Sequence, residues 1–391
     1  MVRVGATAGL NTSARFAAAH AVDARLFRAP GRVNIIGEHT DYNDGLVLPT
    51  NTALYTWLTA RPRRDRTIQA TTERFDDTQS FSLDDIRRGQ KPGWLNYMKG
   101  VAALLQDDGV RLCGADITVA GDIPIGGGLS SSASLELATA SALLNLAGVE
   151  MPAQRIAVLC QQAEHRYAGV NCGIMDQYSV ACCAQGEAMM LDCRSLESTP
   201  VELPQHLGLL VTNSGANHQL ADSGYNDRAE ECRQSVELIN EVDAEVTSLR
   251  DVSMPLLGEC AALLGDRLFR RCRHVVSEND RVKAAVAALR SGDINKLGEL
   301  INASHTSLRD DFAVSCDEVE TLVDIANACD GVVGSRMVGG GFGGCVLSVT
   351  RADQLQETMN EISEHYGAVI GETPWVHAVS AADPAGEVRE P

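Results

Sequence analysis

Between residues 121 and 138 the chain reads GDIPIGGGLSSSASLELA: three consecutive glycines, four serines in five positions, then the start of an apolar repeat at helical spacing. No other stretch restricts the architecture as much. A backbone without side chains that runs into a helix exposes several free N–H groups, and the positive end of the helix dipole adds to their pull on an anion. Phosphate fits such a turn. The common P-loop requires a Lys and a Ser or Thr after its last glycine, and this stretch has no Lys, so the hydroxyls must take over its work. Ser130 and Ser131 are donors for phosphate oxygens, and the Ser132 hydroxyl is suited to a Mg²⁺ ion. The plainer reading is a serine-rich turn with an N-cap.

Around this turn the chain alternates between two periods. ALYTWLTARP, TIQATTE and ADITVAGDIP alternate as strands, so strand signals dominate up to residue 121. Leu135, Ala138, Ala142 and Leu146 then recur at helical spacing and stop at Gly148, and Ile156, Leu159 and Ala163 repeat the pattern. Further helices are expected near Asp222 and Asn279, and GCVLSVTR reads as a late strand. The mixture predicts an α/β or α+β chain with two halves, 1–190 and 191–391. At 391 residues with 45% hydrophobic content, the chain can bury a sizeable core.

Charge narrows the partners. The formal net charge is −19, from 33 Lys and Arg against 52 Asp and Glu, which opposes nucleic acid or an anionic membrane and favours a small ligand. Only four of the basic residues are Lys, a composition bias, and the acidic excess also suits a salt-tolerant surface. The twelve Cys include no C-x-x-C pair, the nine His no H-E-x-x-H, and the amino-terminal segment no apolar run before a cleavage site. A reducing, cytoplasmic setting follows. The oligomeric state stays open between monomer and weak dimer.

Three more segments carry chemistry. RAPGRVNIIGEHTDYNDGLVLP, residues 28–49, gathers Arg32, Glu38, His39 and Asp41 among turn-forming glycines, a loop that can offer donors and acceptors to a polyol. AEHRYAGVNCGIMDQYS contains Glu164 at the end of an apolar helix and Asp176 beside Ile174 and Met175, surroundings in which a carboxylate binds a metal or acts as a base. VGGGFGGCVLSV matches G-x-G-x-x-G at Gly339, Gly341 and Gly344, but a strand follows where a dinucleotide turn needs a helix. Those glycines therefore mark a close backbone approach.

Taken together these segments resemble the galactokinases, in the GHMP superfamily that also contains homoserine, mevalonate and phosphomevalonate kinases. The resemblance runs from about residue 26 to 349 and takes in CGIMDQ, NSGANHQLADSGYNDRAEEC, RCRHVVSEND and SHTSLRDDFAVSC. It implies an α+β fold of two lobes, an amino-terminal mixed lobe of the ribosomal-protein type and a ferredoxin-like carboxy-terminal lobe, with the active site between them. It implies ATP and Mg²⁺, and γ-phosphoryl transfer to the anomeric hydroxyl of α-D-galactose. Glu38, His39, Asp41, Gly173 and Tyr225 would bind the sugar. Asp176 would be the base or orienting group, with Arg32 beside it holding it ionised and steadying the transferred phosphoryl. Gly126, Gly127, Gly128, Leu129, Ser130, Ser131 and Ser132 would wrap the phosphates, Ser132 and Glu164 would hold Mg²⁺, and Trp94 and Tyr97 would flank adenine.

Departures from the family pattern carry expectations too. Val338 stands where Thr is usual, which removes a hydroxyl and is expected to alter phosphate or sugar contacts. Gly224 stands where Glu is common, which is expected to loosen the loop bearing Tyr225 and broaden sugar selectivity. Asn171 replaces a frequent Pro with little consequence. Two rivals remain: a kinase for N-acetylgalactosamine or another related sugar, and a sensor that binds galactose and ATP without turnover. HTDYNDGLVLP opposes the first, and the intact Ser132 and Ala133 oppose the second.

Overall fold

The computed structural model describes residues 24–90, 93–217, 221–380 and 382–388. The amino-terminal segment read above for a leader, and residues 218–220 of the NSGANHQLADSG segment, lie outside them. The amino-terminal strands are β1 (Arg25–Asn34), β2 (Leu46–Val47), β3 (Pro49–Pro62), β4 (Thr67–Thr72), β5 (Asp77–Ser82) and β6 (Ala115–Gly121). Then come β7 (Glu187–Asp192), β8 (Ser198–Glu202), β9 (Leu207–Asn217), β10 (Val332–Met337), β11 (Gly343–Arg351), β12 (Val376–Ala378) and β13 (Gly386–Glu387). One sheet has the order β13-β1-β3-β6-β4-β5, a second β10-β11-β9-β12, and a third, small one β2-β7-β8. All pairs are antiparallel except β4 with β6.

The helices that cover the first sheet are α1 (Trp94–Asp107), α2 (Ser131–Ala147), α3 (Ala153–Ala163) and α4 (Met175–Cys182). Helix α1 lies in the stretch where strands were expected to dominate; Leu95, Met98, Ala102 and Leu105, at helical spacing, put one face into the core. Helix α2 ends at Gly148 as its sequence predicts. The carboxy-terminal helices are α5 (Ala221–Asn240), α6 (Met254–Glu259), α7 (Ala261–Ser291), α8 (Ile294–Ser307), α9 (Asp317–Ala328) and α10 (Leu355–Ile370). The helix expected to start near Asn279 extends further upstream: its backbone breaks at Gly265 (φ 66°, ψ 169°), and from there Leu268, Cys272 and Val275 already continue its buried face. None of the helices among the described residues is long and apolar enough to cross a membrane.

Three apolar clusters explain how the cleft is held. One fills the space between the first sheet and α1–α4. Another packs α5, α7, α9 and α10 on one face of the second sheet through Leu210 and Val346. The third joins the halves: Val33, Ile35, Ile36 and Leu48 from the amino-terminal half meet Val282 and Leu289 of α7, Ile301 of α8, and Leu209, Val211, Leu347 and Val349 from the other face of the second sheet. The period of two along β9 and β11 thus sends alternate side chains into different cores. Strand β13 pairs with β1 at the edge of the first sheet.

Candidate active site

The site begins beside an irregularity in the pairing of β1 with β3. The register shifts between Pro30 and Gly31, where β3 carries two extra residues, Ala53 and Leu54. Arg32 follows directly on β1. It is 4% exposed; its Nε lies 2.8 Å and its Nη2 2.6 Å from Asp176 Oδ1, and its Nη1 donates to Gly128 O. Burial disfavours the charged guanidinium, but Asp176, Glu38 and Asp41 outweigh it and raise its pKa. Asp176 sits in the first turn of α4, and its second oxygen accepts the Ser130 hydroxyl at 2.5 Å. One carboxylate therefore touches both the arginine of the first motif and a serine of the glycine-rich turn.

The hydroxyl proton of Ser130, expected to serve a phosphate oxygen, is directed at Asp176 in this structure. Gly126, Gly128, Leu129, Ser130, Ser131 and Ser132 line a cavity of about 380 Å³ with Arg32, Glu38, His39, Asp41, Asp176 and Tyr225. Gly127 does not line it and instead backs onto Cys345 Sγ of β11. Gly173 is also behind the wall: a Cβ there would lie 2.1 Å from Asp41 Oδ2, so the absence of a side chain gives the Asp41 carboxylate its room. Trp94 and Tyr97, three apart on α1, line a more apolar cavity of about 420 Å³ that shares Tyr97, Ile125, Ser131 and Ser132 with the first.

The loop after β1 is a donor–acceptor array. His39 Nδ1 shares a 2.8 Å hydrogen bond with the Tyr42 hydroxyl, while its buried Nε2 has no partner. Burial, then His274 and Arg228, push the His39 pKa well below its usual value, so the ring is neutral. Asp41 is pushed up to about 7, first by burial and then by Asp176 and Glu38. Tyr225 and His39 are ring neighbours, 5.6 Å between centroids. Glu38 commits one oxygen to structure: Oε1 accepts from Arg336 Nη2 at 3.1 Å and from Gly339 N–H at 3.0 Å.

Ser132 and Glu164 form an oxygen pair suited to a hard cation. Glu164 is 5% exposed, hydrogen-bonds Ser132, and accepts from Gln177 Nε2 at 2.6 Å. Burial and Asp176 push its pKa up to about 7, against hydrogen bonds from Cys172, Ser132 and Gln177. The two oxygens are a donor set that would fit a Mg²⁺ ion.

Several residues that build the site went unassigned in the sequence. Fully buried Arg336 donates to Asn34 O, Ile35 O and Met337 O as well as to Glu38. From α7, His274 Nε2 hydrogen-bonds Glu38 O, Glu278 accepts from Gly37 N–H, and Asn279 accepts from Leu46 N–H. Gln177 bridges Glu164 to the fully buried Glu136. The available signal was polar residues at 274 and 278 interrupting a helical face that is apolar at 275, 282 and 286.

Two residues that depart from the family pattern sit in packed surroundings. Val338 is 1% exposed in the apolar cluster with Leu129 and Cys345, and its side chain does not line the cavity. At Gly224 the Phe342 ring stands 2.5 Å from where a Cβ would be, so the segment bearing Tyr225 is packed rather than loosened.

Comparison with known proteins agrees with this geometry. Residues 96–186 match the model for the GHMP kinases N terminal domain, 285–368 that for GHMP kinases C terminal, and 14–62 the galactokinase galactose-binding signature. A galactokinase of Chloroflexus aggregans is 44% identical over 89% of this chain and 90% of its own length. Human galactokinase is 45% identical over 87% of each. The crystal structure of Lactococcus lactis galactokinase complexed with galactose superposes with a TM-score of 0.91 at 33% identity, covering 97% of this chain and 99% of that one. A mevalonate kinase, at 16% identity and a TM-score of 0.65 over 92% of this chain and 99% of that one, shares the fold.

Proposed function

This chain belongs to the galactokinase family of the GHMP kinases and phosphorylates galactose from ATP, and we propose that its two cavities divide that work between them. The sugar lies against Glu38, His39, Asp41 and Tyr225, with Gly173 behind Asp41. The triphosphate lies along 126–132, and the base enters the apolar chamber of Trp94 and Tyr97. The observation that carries this reading is the double hold on Asp176, by Arg32 and by Ser130, at the junction of the sugar loop and the phosphate turn.

From there the chemistry follows. Asp176 accepts a hydrogen bond from the anomeric hydroxyl and aligns it for in-line attack on the γ-phosphoryl group; the proton moves to the Asp176 carboxylate as the new O–P bond forms and the bond from the γ-phosphorus to the β,γ-bridging oxygen breaks, releasing ADP. Arg32, fixed on Asp176 and Gly128 O, presents positive charge where negative charge builds on the transferred group. His39 Nε2, buried and unpartnered, gains a sugar hydroxyl as partner. Ser132 and Glu164 would hold Mg²⁺, which would supply positive charge to neutralise the phosphates. Twelve unpaired cysteines suit a reducing cytoplasm.

The test is Mg²⁺-dependent ADP release with galactose, N-acetylgalactosamine, glucose, galacturonate, mevalonate and homoserine. Turnover is expected to be highest with galactose. Faster turnover with N-acetylgalactosamine would overturn the sugar assignment, and galactose binding without ADP release would make the chain a sensor.

A further inference from the structure

Where the end of α9 meets α10, Cys329, Glu361 and His365 bring one thiol sulfur, one carboxylate oxygen and one imidazole nitrogen within 4.8 Å of one another. We propose that these three side chains bind a thiophilic divalent metal ion of the zinc class, cross-linking the end of α9 to α10.

The three positions have different origins. Glu361 and His365 are four apart on α10, so they project from the same face on consecutive turns. Cys329 caps the end of α9, buried, with its thiol donating to Ile325 O at 3.2 Å. The turn carrying it is already docked onto α10. Asp330 N–H donates to Glu361 Oε2 at 3.2 Å, and the Thr358 hydroxyl donates to Asp330 O at 2.9 Å. These backbone contacts fix the direction of approach of the two helices before any ion arrives, as supporting hydrogen bonds do at metal sites.

The donor set selects the ion. One sulfur, one nitrogen and one oxygen suit Zn²⁺ or Co²⁺, whereas Mg²⁺ prefers oxygen alone. A tetrahedral ion at ordinary bond lengths draws its ligands together, so the side chains close by about 1 Å, with water as fourth ligand. On binding, the thiol releases its proton to solvent and exchanges the hydrogen bond to Ile325 O for a metal bond. Among the described residues this is the one cluster of His, Cys, Asp or Glu with such spacing.

The test uses the full chain after chelator treatment, titrated with Co²⁺. One equivalent should produce the sulfur-to-cobalt charge-transfer band and the intense visible absorption of four-coordinate cobalt, both displaced by Zn²⁺ but not by Mg²⁺. Cys329→Ser should lose the charge-transfer band. Since Cys329 is buried and its variant can misfold, His365→Gln, at an exposed position, gives an independent reading: Co²⁺ binding weakens at least ~tenfold. No band in the wild-type protein, a band that survives Cys329→Ser, or unchanged affinity in His365→Gln would each overturn the assignment.

Discussion

The two walls of the cleft are built from different materials. The amino-terminal wall carries nearly all the reactive groups: Arg32, Asp41, Ser132, Glu164 and Asp176. The carboxy-terminal wall offers Tyr225 and the glycines 339–341, and behind them Arg336 and α7 grip the sugar loop from the rear. On the proposed mechanism the groups that act on the substrates sit on one wall, and the other wall holds the loop after β1 from behind. Substitutions on the first wall should lower kcat, and those on the second should act through position and stability.

The largest effect is expected at Asp176. Asp176→Asn keeps hydrogen bonds with Arg32 and Ser130 but cannot take a proton, so kcat should fall by about a thousandfold while galactose binding by calorimetry changes little. Arg32→Ala should also lose turnover, with some loss of stability because a buried ion pair is broken. Near wild-type kcat in Asp176→Asn would remove the chemical distinction between the walls.

Next in size is the place where the walls touch. A Cβ on Gly339 would lie 2.7 Å from Gly128 Cα, and one on Gly128 would lie 2.7 Å from Val338 O; both residues have left-handed backbone, with φ of +79° and +74°. Gly339→Ala should cost about 1–3 kcal/mol of stability and lower kcat/KM by more than ~tenfold through misalignment. Gly340→Ala meets only the Tyr225 ring, 3.1 Å away, and should raise the galactose KM a few-fold with kcat preserved. Equal effects at both glycines would show that the contact between the walls carries no special constraint.

Candidate site residues are legible in the sequence where they are written in short runs. Arg32, the 126–132 turn, Asp176 and Glu164 are each marked by a local pattern, and the strand after Gly344 rules out the dinucleotide reading without coordinates. What escaped is nonlocal. Arg336 reads as one charged residue in a strand, and only the fold brings it to Glu38, 298 residues away. Glu278 reaches Gly37 across 241 residues in the same way. Ser130 was legible as a hydroxyl at a phosphate turn, but its partner depends on how α4 docks against β1. The length of α7 was missed because its apolar face was followed from too late a start.

A smaller effect should follow pH. Asp41 ionises at about 7 in the sugar-free protein because burial and the neighbouring carboxylates oppose its charge. Its folded-state pKa exceeds its unfolded value, so its contribution to stability is fully present below about pH 4 and is lost as pH rises through about 7. Asp41→Asn should therefore raise the Tm of the sugar-free protein at pH 8 more than at pH 5. In the proposed sugar site an ionised Asp41 would accept from sugar hydroxyls better than the acid form, so wild-type galactose affinity should rise severalfold between pH 6 and 8. A pH slope that persists unchanged in Asp41→Asn would assign it to another group.

The smallest effect is expected at Val338, and it separates backbone from side-chain roles on the second wall. Val338 meets the first wall through its carbonyl oxygen, beside Gly128, while its N–H donates to Cys345 O at 3.0 Å. Its side chain faces the apolar cluster instead. Val338→Thr keeps the shape but buries a hydroxyl among apolar neighbours, at a cost of about 1–2 kcal/mol unless the hydroxyl finds an acceptor. The expected result is a Tm lowered by a few degrees with KM for ATP and galactose within twofold of wild type. A severalfold change in either KM at unchanged Tm would mean that the side chain at 338 reaches the substrates, and the second wall would then supply chemistry as well as shape.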